Sequence, residues 1–411
     1  MSALPFTIAP LLSQAAERET SVSPWGEDVE RILCVRLDRL GDILMTTPAI
    51  HALRASMPRR RITLLTSTVG AMAAPFLRDV DEVIAYDAPW HGLGPTTSPQ
   101  NDLAMQRRLE AGRFDAAVIF TVYSQSALPA AMLCYLAGIP HRLAHCRENP
   151  YGLLTDWVCE TEPHGGVRHE VERQLALVAK VGATCSDTRM RFDLGAKARA
   201  AIAERLAARG IAPEGPWFVI HPGASAPSRR YPPERFGAVA ARLAQSTRWP
   251  ILLTGSADEA SLIRELIAAA GPSAHPYLHD LSGLLNMEEL AALIERATVL
   301  VSNNSGPVHL ASALATPVVD LYALTNPQHT PWKTPHRVLF RDVDCRWCYR
   351  GVCPQGHHQC LLGVPSEEVA NAALELAAGR GRPIAQPRAN ADANTASALA
   401  PTPHTLTVAG T

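Results

Sequence analysis

Three short runs of residues carry side chains suited to moving a group between oxygens. The first is Leu37-Asp38-Arg39-Leu40-Gly41-Asp42, followed by Thr46, Thr47 and Pro48. Gly41 lets the backbone turn sharply and Asp42 stands near a helix start. A carboxylate there can take the proton from a hydroxyl as its oxygen attacks. The same aspartate could equally be a helix cap, and the local pattern does not separate the two. The second run is Ile220-His221-Pro222-Gly223-Ala224-Ser225, with Ser228-Arg229-Arg230-Tyr231-Pro232-Pro233 after it. Its small residues let backbone N–H groups approach a phosphate, and its arginines add charge-assisted hydrogen bonds. The third is Ser302-Asn303-Asn304-Ser305-Gly306-Pro307-Val308-His309-Leu310. A helix beginning at Pro307 or Val308 would turn unpaired N–H donors and a positive dipole end on a diphosphate. Alone, Asn304 and Ser305 read as capping residues and His309 as a satisfied structural histidine.

Positioning these runs requires strands that end at them. Residues 31–37 (RILCVRL) read as a buried strand, and 48–57 show helical spacing. Residues 61–66, 82–86 and 114–121 are further strands, each followed by a polar or helical stretch. The pattern breaks at 140–166, rich in Pro, Gly, His and Arg, and resumes with helices at 169–181 and 196–209. After Gly215 and Pro216 the alternation restarts: strands at 217–220, 251–254, 299–302 and 318–322, helices at 233–245, 257–270, 287–296 and 308–314. Alternating strands and helices imply a parallel sheet covered on both faces, and two such series imply two Rossmann-like domains. Ligands of such sheets bind beyond the carboxyl ends of the strands, where all three runs fall. The expected division is a lead at 1–28, an N-terminal domain at 29–212, a C-terminal domain at 213–378 and a disordered tail at 379–411, where Ala, Pro, Thr, Asn and Gly dominate.

Composition agrees with a globular chain of two domains. The chain has 411 residues, 47% of them hydrophobic and 19% charged, beyond the size at which one core keeps growing. A net charge of -1 gives no global attraction to nucleic acid, so any pull on an anion is local. The N-terminus lacks a basic segment before its apolar stretch, and no window resembles a transmembrane helix. Nine scattered or clustered cysteines fit a reducing cytoplasm better than a disulfide framework. The turn after the first strand lacks G-x-G-x-x-G, which argues against a dehydrogenase.

In their order and separation, the segments RLDRLGDILMTTPAIHAL, HEVERQLALVAKVG, FVIHPGASAPSRRYPPERF, LLTGSADE, LSGLLNMEELAALI and VSNNSGPVHLASALATPVV resemble the lipopolysaccharide heptosyltransferases, glycosyltransferase family nine. The resemblance covers most of residues 31–376. It implies the GT-B fold, with an acceptor-side N-terminal domain facing a donor-side C-terminal domain across a cleft. It implies Asp42 as general base, with Arg39 and Gly41 on the acceptor side. Ser225 and Arg229 would contact the donor phosphates, Asp258 the ribose, and Leu284 and Leu285 the adenine. Asn304, Ser305, Gly306 and His309 would grip the diphosphate. The donor implied is ADP-heptose, with no cofactor and no metal required. The acceptor implied is a lipid-anchored anionic glycan, the inner core of lipopolysaccharide, with peripheral contact at the cytoplasmic face of the inner membrane. Two positions depart from the family pattern: many members carry Lys at position 229 and Asp at position 304. Another nucleotide sugar, a protein acceptor or a non-catalytic binding module remain alternatives, the last kept open by Asn304.

Asp79-Val80-Asp81 and Asp342-Val343-Asp344 match a metal-binding D-x-D pattern and read as solvated turns. Cys345, Cys348, Cys353 and Cys360, with His357 and His358, could hold a structural metal, but their spacing is not that of paired zinc knuckles; free thiols are the favoured reading. Arg39, Arg59, Arg60, Arg61, Arg142, Arg147 and Arg168 could meet an anionic acceptor, although Arg59–Arg61 read as a solvated face.

Overall fold

The computed structural model describes residues 24–92 and 98–379. The tail expected at 379–411 lies, beyond its first residue, outside the described residues, as does most of the N-terminal lead.

The first half of the chain runs β1 (Arg31–Arg36), α1 (Leu40–Ser56), β2 (Arg61–Thr66), β3 (Glu82–Ala85), α2 (Pro99–Gly112), β4 (Ala116–Ile119), α3 (Leu128–Leu136), β5 (His141–Cys146), β6 (Asp156–Cys159), α4 (Glu170–Ala179) and α5 (Ala196–Ala207). The second half runs β7 (Phe218–His221), α6 (Pro233–Thr247), β8 (Ile251–Leu253), α7 (Ala260–Ala270), β9 (Leu278–Asp280), α8 (Met287–Arg296), β10 (Val299–Asn303), α9 (Gly306–Ala313), β11 (Val318–Leu321), β12 (His336–Leu339), α10 (Gln359–Leu362) and α11 (Ser366–Gly379). The strands form two six-stranded sheets of order β3-β2-β1-β4-β5-β6 and β12-β11-β10-β7-β8-β9. Every pairing is parallel. The apolar runs of β1, β4, β7 and β10 are buried on both faces, as helices on both sides of a sheet demand.

Each sheet reverses its winding between two central strands, β1 and β4 in the first and β10 and β7 in the second. A crevice opens at the carboxyl ends of such a pair. The Asp38–Asp42 turn follows β1, and the two phosphate-type runs follow β7 and β10. All three chemical runs therefore sit at the switch points.

Three local results differ from expectation. Helix α1 begins at Leu40, not at Pro48, and runs through that proline. Pro48 cannot bond the Leu44 carbonyl, but the Thr47 hydroxyl donates to that oxygen at 2.6 Å. The break at 140–166 contains two strands, β5 and β6. Helix α5 buries Ala198, Ile202 and Leu206 in the same cluster as Leu252, Leu293 and Leu300, so it packs under the second sheet although it precedes residue 213. Among the described residues no helix is long and apolar enough to cross a membrane.

Candidate active site

A cleft of about 450 Å³ separates the two sheets' carboxyl ends. Its first wall carries Asp38, Arg39, Leu40, Gly41, Asp42 and Gln125; its second carries His221, Gly223, Ser225, Arg229, Glu259, Asn304, Ser305, Gly306, Pro307 and His309.

The first wall is built around Arg36, the last residue of β1, which is fully buried. Its guanidinium meets three carboxylates: Asp38 at 2.8 Å, Asp42 at 3.2 Å and Glu170 at 2.7 Å. One cation is thus shared among three acids, and each fixes a different face of the fork. Asp38 also accepts from Gln125 Nε2 at 2.8 Å, which ties the turn after β1 to the loop after β4. Burial raises the Asp38 carboxyl, with Arg36 opposing and Asp42 adding to the rise. Burial pushes Asp42 up too, but Arg36, His329, His309 and the Arg39 backbone N–H together hold it below the ordinary aspartate value. Asp42 is therefore ionised at neutral pH, third in the helix, with its side chain 21% exposed to the cleft. The N-cap is Arg39, with no side-chain cap bond, so Asp42 is a first-turn acid rather than the cap, and the helix start stabilises its charge.

The second wall is pinned by Asn303, fully buried at the end of β10. Its amide donates to the Pro222 carbonyl (2.7 Å) and its oxygen accepts from Tyr231 N–H (2.9 Å). The loop carrying Ser225 and Arg229 is thereby held beside the start of α9. Ser305 precedes that helix without a side-chain cap; its hydroxyl donates to the Asn303 carbonyl at 3.1 Å. Of the helix's first-turn groups, Pro307 has no N–H and Val308 N–H bonds the Ser305 carbonyl at 3.0 Å, which leaves Gly306 N–H and the positive helix end for an anion. The side chains of Arg229 and Arg39 form no hydrogen bond or ion pair with the described residues, so two unspent guanidinium groups line the cleft.

The structure brings together Asp42, Arg39, Gly41, Ser225, Arg229, Asn304, Ser305, Gly306 and His309 on this cleft. It does not bring Asp258, Leu284 or Leu285 there. Asp258 is exposed in a 3-10 turn, whereas the next acid, Glu259, faces the cleft. A capping box with Ser256 folds Glu259 back, and a Cβ on Gly223 would stand 2.0 Å from its carboxylate. Leu284 is 46% exposed, Leu285 is drawn against the second core, and Met287 lines the cleft instead. Asn304 is turned from the expected direction: its Nδ2 donates to Asp320 Oδ2 and to the His329 carbonyl, both at 2.9 Å. Its backbone N–H bonds the Leu321 carbonyl at 3.1 Å, so the N–H groups of Asn304 serve the fold of this wall and not a phosphate.

Sequence reasoning missed Arg36, Gln125, Glu170, His221, Glu259 and His329. Glu259 was within reach, since S-x-x-E before an apolar run marks a capping box. Arg36, Glu170 and His221 lie inside the quoted segments without a pattern that signals their role, and Gln125 and His329 stand in loops with no local motif.

Most of the proposed basic surface is spent elsewhere. Arg60 is 3% exposed and bonds the Val29 and Leu53 carbonyls, which corrects its reading as a solvated residue. Arg142 bonds the carbonyls of Leu153 and Gly152. Arg147 bonds those of Tyr123 and Glu162, and Arg168 pairs with Glu162. Neither D-x-D pair reaches the cleft: Asp79 meets His51 at 3.0 Å, Asp81 accepts from Ile62 N–H at 2.7 Å, and Asp342 pairs with Arg346. Cys345 approaches His357 at 3.7 Å, but among the described residues no three His, Cys, Asp or Glu side chains are grouped as ligands.

Comparison with known proteins agrees with this geometry. The family model described as glycosyltransferase family 9 (heptosyltransferase) matches residues 103–358. Lipopolysaccharide heptosyltransferase 2 of Escherichia coli K12 is 26% identical over 351 residues, covering 82% of this chain and 96% of that protein. Lipopolysaccharide heptosyltransferase 3 of the same strain is 28% identical over 299 residues, 71% of this chain and 82% of that one. In fold, the chain is similar to a family 9 glycosyl transferase from Veillonella parvula, with a TM-score of 0.73 and 21% identity over 86% of this chain and 99% of that one. It is similar also to E. coli ADP-heptose lipopolysaccharide heptosyltransferase II, with a TM-score of 0.67 and 22% identity over 86% and 100%. The two parallel sheets facing across a cleft are the GT-B fold, and the chain belongs to glycosyltransferase family 9, the heptosyltransferases.

Proposed function

We propose that the chain transfers heptose from ADP-heptose to a hydroxyl of the inner core of lipopolysaccharide, inverting the anomeric centre in one displacement. The observation that carries this reading is the division of charge across one cleft: an ionised Asp42 on one wall, and unspent Arg229, Ser225 and an uncapped helix start on the other. Asp42 takes the proton as the acceptor oxygen attacks the anomeric carbon. The departing diphosphate gains charge, and Arg229, the Ser225 loop and the first turn of α9 stabilise it. The scheme needs no metal and no cofactor. Glu259 replaces Asp258 as the acid for the ribose hydroxyls, and Met287 replaces Leu284 and Leu285 beside the base. Arg39 stands at the acceptor mouth to meet an anionic glycan, in an enzyme that works at the cytoplasmic face of the membrane.

Asn304 no longer favours a non-catalytic module. A donor amide satisfies Asp320 and the His329 carbonyl, which an aspartate at 304 could not do without a proton.

The test is turnover of ADP-heptose by Asp42→Asn, together with calorimetric ADP binding. Turnover should fall by ~10²–10⁴-fold, the share a positioned base supplies, with ADP affinity within about twofold of wild type because no donor contact is lost. Turnover within tenfold of wild type would remove Asp42 from the role.

A further inference from the structure

The segment 325–332 leaves the second sheet after β11 and reaches across to the first. The Gln328 carbonyl accepts from Glu170 N–H at 3.0 Å. His169 Nε2 meets the Thr330 carbonyl at 2.8 Å, and the His169 ring stacks on Trp332 at 4.5 Å between centroids. The Trp332 indole donates to the Thr188 carbonyl at 2.7 Å. Between these anchors, His329 is held by its backbone: its carbonyl accepts from Asn304 and its N–H meets the Tyr322 hydroxyl at 3.3 Å.

The ring of His329 is oriented as firmly. The Tyr322 hydroxyl donates to the Asn326 carbonyl (2.6 Å) and lies 3.2 Å from Asn326 Oδ1. That turns the Asn326 amide N–H onto His329 Nδ1 at 3.1 Å. A ring nitrogen that accepts leaves the proton on the other nitrogen. Nε2–H is the atom that faces Asp42, 3.9 Å from Oδ1, and it has no hydrogen-bond partner among the described residues. Arg36 reaches the same Oδ1 at 3.2 Å.

We propose that His329 is a positioning residue for the base: with Arg36 it fixes Oδ1 of Asp42 and leaves Oδ2 to take the acceptor proton. The inference rests on Asp42 acting as the base. The 3.9 Å separation is about 1 Å beyond a hydrogen bond, so a small approach of the two walls, or one bridging water, completes the contact. Burial pushes His329 down to about 4, so it presents a dipole and not a second cation. A second cation beside Arg36 would depress the base further; a neutral N–H orients it at lower cost in basicity. The groups facing Asp42 are Arg36, with Asp38 and Glu170 on its other faces, His309 and His329, while Arg229 acts on both histidines. Because His329 hangs from Asn304, the turn assigned to the donor and the orientation of the base are physically joined.

The experiment compares His329→Ala and His329→Gln in the full chain by steady-state kinetics, thermal melting and titration of the Asp42 carboxyl by carbon-13 NMR. Glutamine restores an N–H donor at nearly the same reach. The alanine variant should lose roughly 10- to 100-fold in kcat, as expected when a reacting group is left unaligned, with KM for the donor within about twofold. Its Asp42 titration midpoint should move to higher pH, since a group that favoured the carboxylate is gone. Glutamine should return both readouts most of the way. An unmoved Asp42 midpoint, or a glutamine variant no better than alanine at equal melting temperature, would overturn the proposal. The carboxyl titration needs no sugar transfer, so it stands if the donor is another nucleotide sugar; full turnover by Asp42→Asn would sink the base assignment itself.

Discussion

Asp320 shows how a single buried acid constrains the second wall. It is fully buried in β11 and its Oδ1 finds no partner among the described residues. Burial pushes its carboxyl up to about 8, against the opposing Asn304 hydrogen bond. Between the unfolded value near 3.8 and about 8 the folded chain keeps a proton that the unfolded chain has released. Stability contributed here is therefore greatest below pH ~4, falls as pH rises to about 8, and then levels. Asp320→Asn removes that dependence while keeping an acceptor for Asn304. The unfolding free energy of the variant relative to wild type should climb from pH 4 to 8, by up to a few kcal/mol at ~1.4 kcal/mol per pH unit. A difference that stays flat across that range would contradict the buried neutral acid. Position 304 explains why part of the site was illegible in sequence. The motif around Gly306 located the turn, but whether Asn304 faces a ligand or a buried acid depends on Asp320 and His329, sixteen and twenty-five residues away. Asp258 and Glu259 differ by one residue, and only the capping box decides which of them turns inward.

Helix α1 is the element on which the two walls meet. Its second residue, Gly41, packs so closely on His309 that a Cβ would stand 2.6 Å from Cδ2 of that ring, and Leu40 lies against Gly306. Gly41→Ala should thus wedge the base away from α9. The expected cost is ~1–3 kcal/mol of stability, typical of overpacking, with a larger loss in kcat/KM than in ADP affinity. Unchanged melting and kcat/KM would show that the two helices do not meet so tightly. The helical spacing was legible only from Pro48 onward, although Asp42 pointed to an earlier start; the Thr47 hydroxyl that rescues the Leu44 carbonyl leaves no periodic trace. Strands β5 and β6 were hidden for a related reason. HRLAHC and DWVC alternate poorly, and Arg142 and His145 are buried in β5, the former because its guanidinium satisfies loop carbonyls instead of reaching solvent. The strands with uninterrupted apolar runs, such as β1, β4 and β10, were legible because burial on both faces requires that pattern.

At the scale of the whole molecule, two sheets of the same architecture turn their switch points toward each other, and the chemistry is divided between them. The first contributes a carboxylate held by Arg36; the second contributes cationic and N–H groups, to which the proposed function assigns a diphosphate. Neither sheet alone holds both. That division follows from topology, and it was readable as soon as three motifs fell at strand ends. The identity of the sugar was not readable in the same way, because hydroxyl stereochemistry is sensed by a few cleft side chains drawn from several loops. The most direct test of the account is to incubate the protein with ADP-heptose and an inner-core acceptor lacking its heptose, then determine the product by mass spectrometry and the new linkage by anomeric NMR. The account predicts one added heptose of inverted configuration, released ADP, and product formed ~10²–10⁴-fold more slowly by Asp42→Asn. Retained configuration, or no transfer by a folded protein that fails to bind ADP, would contradict it.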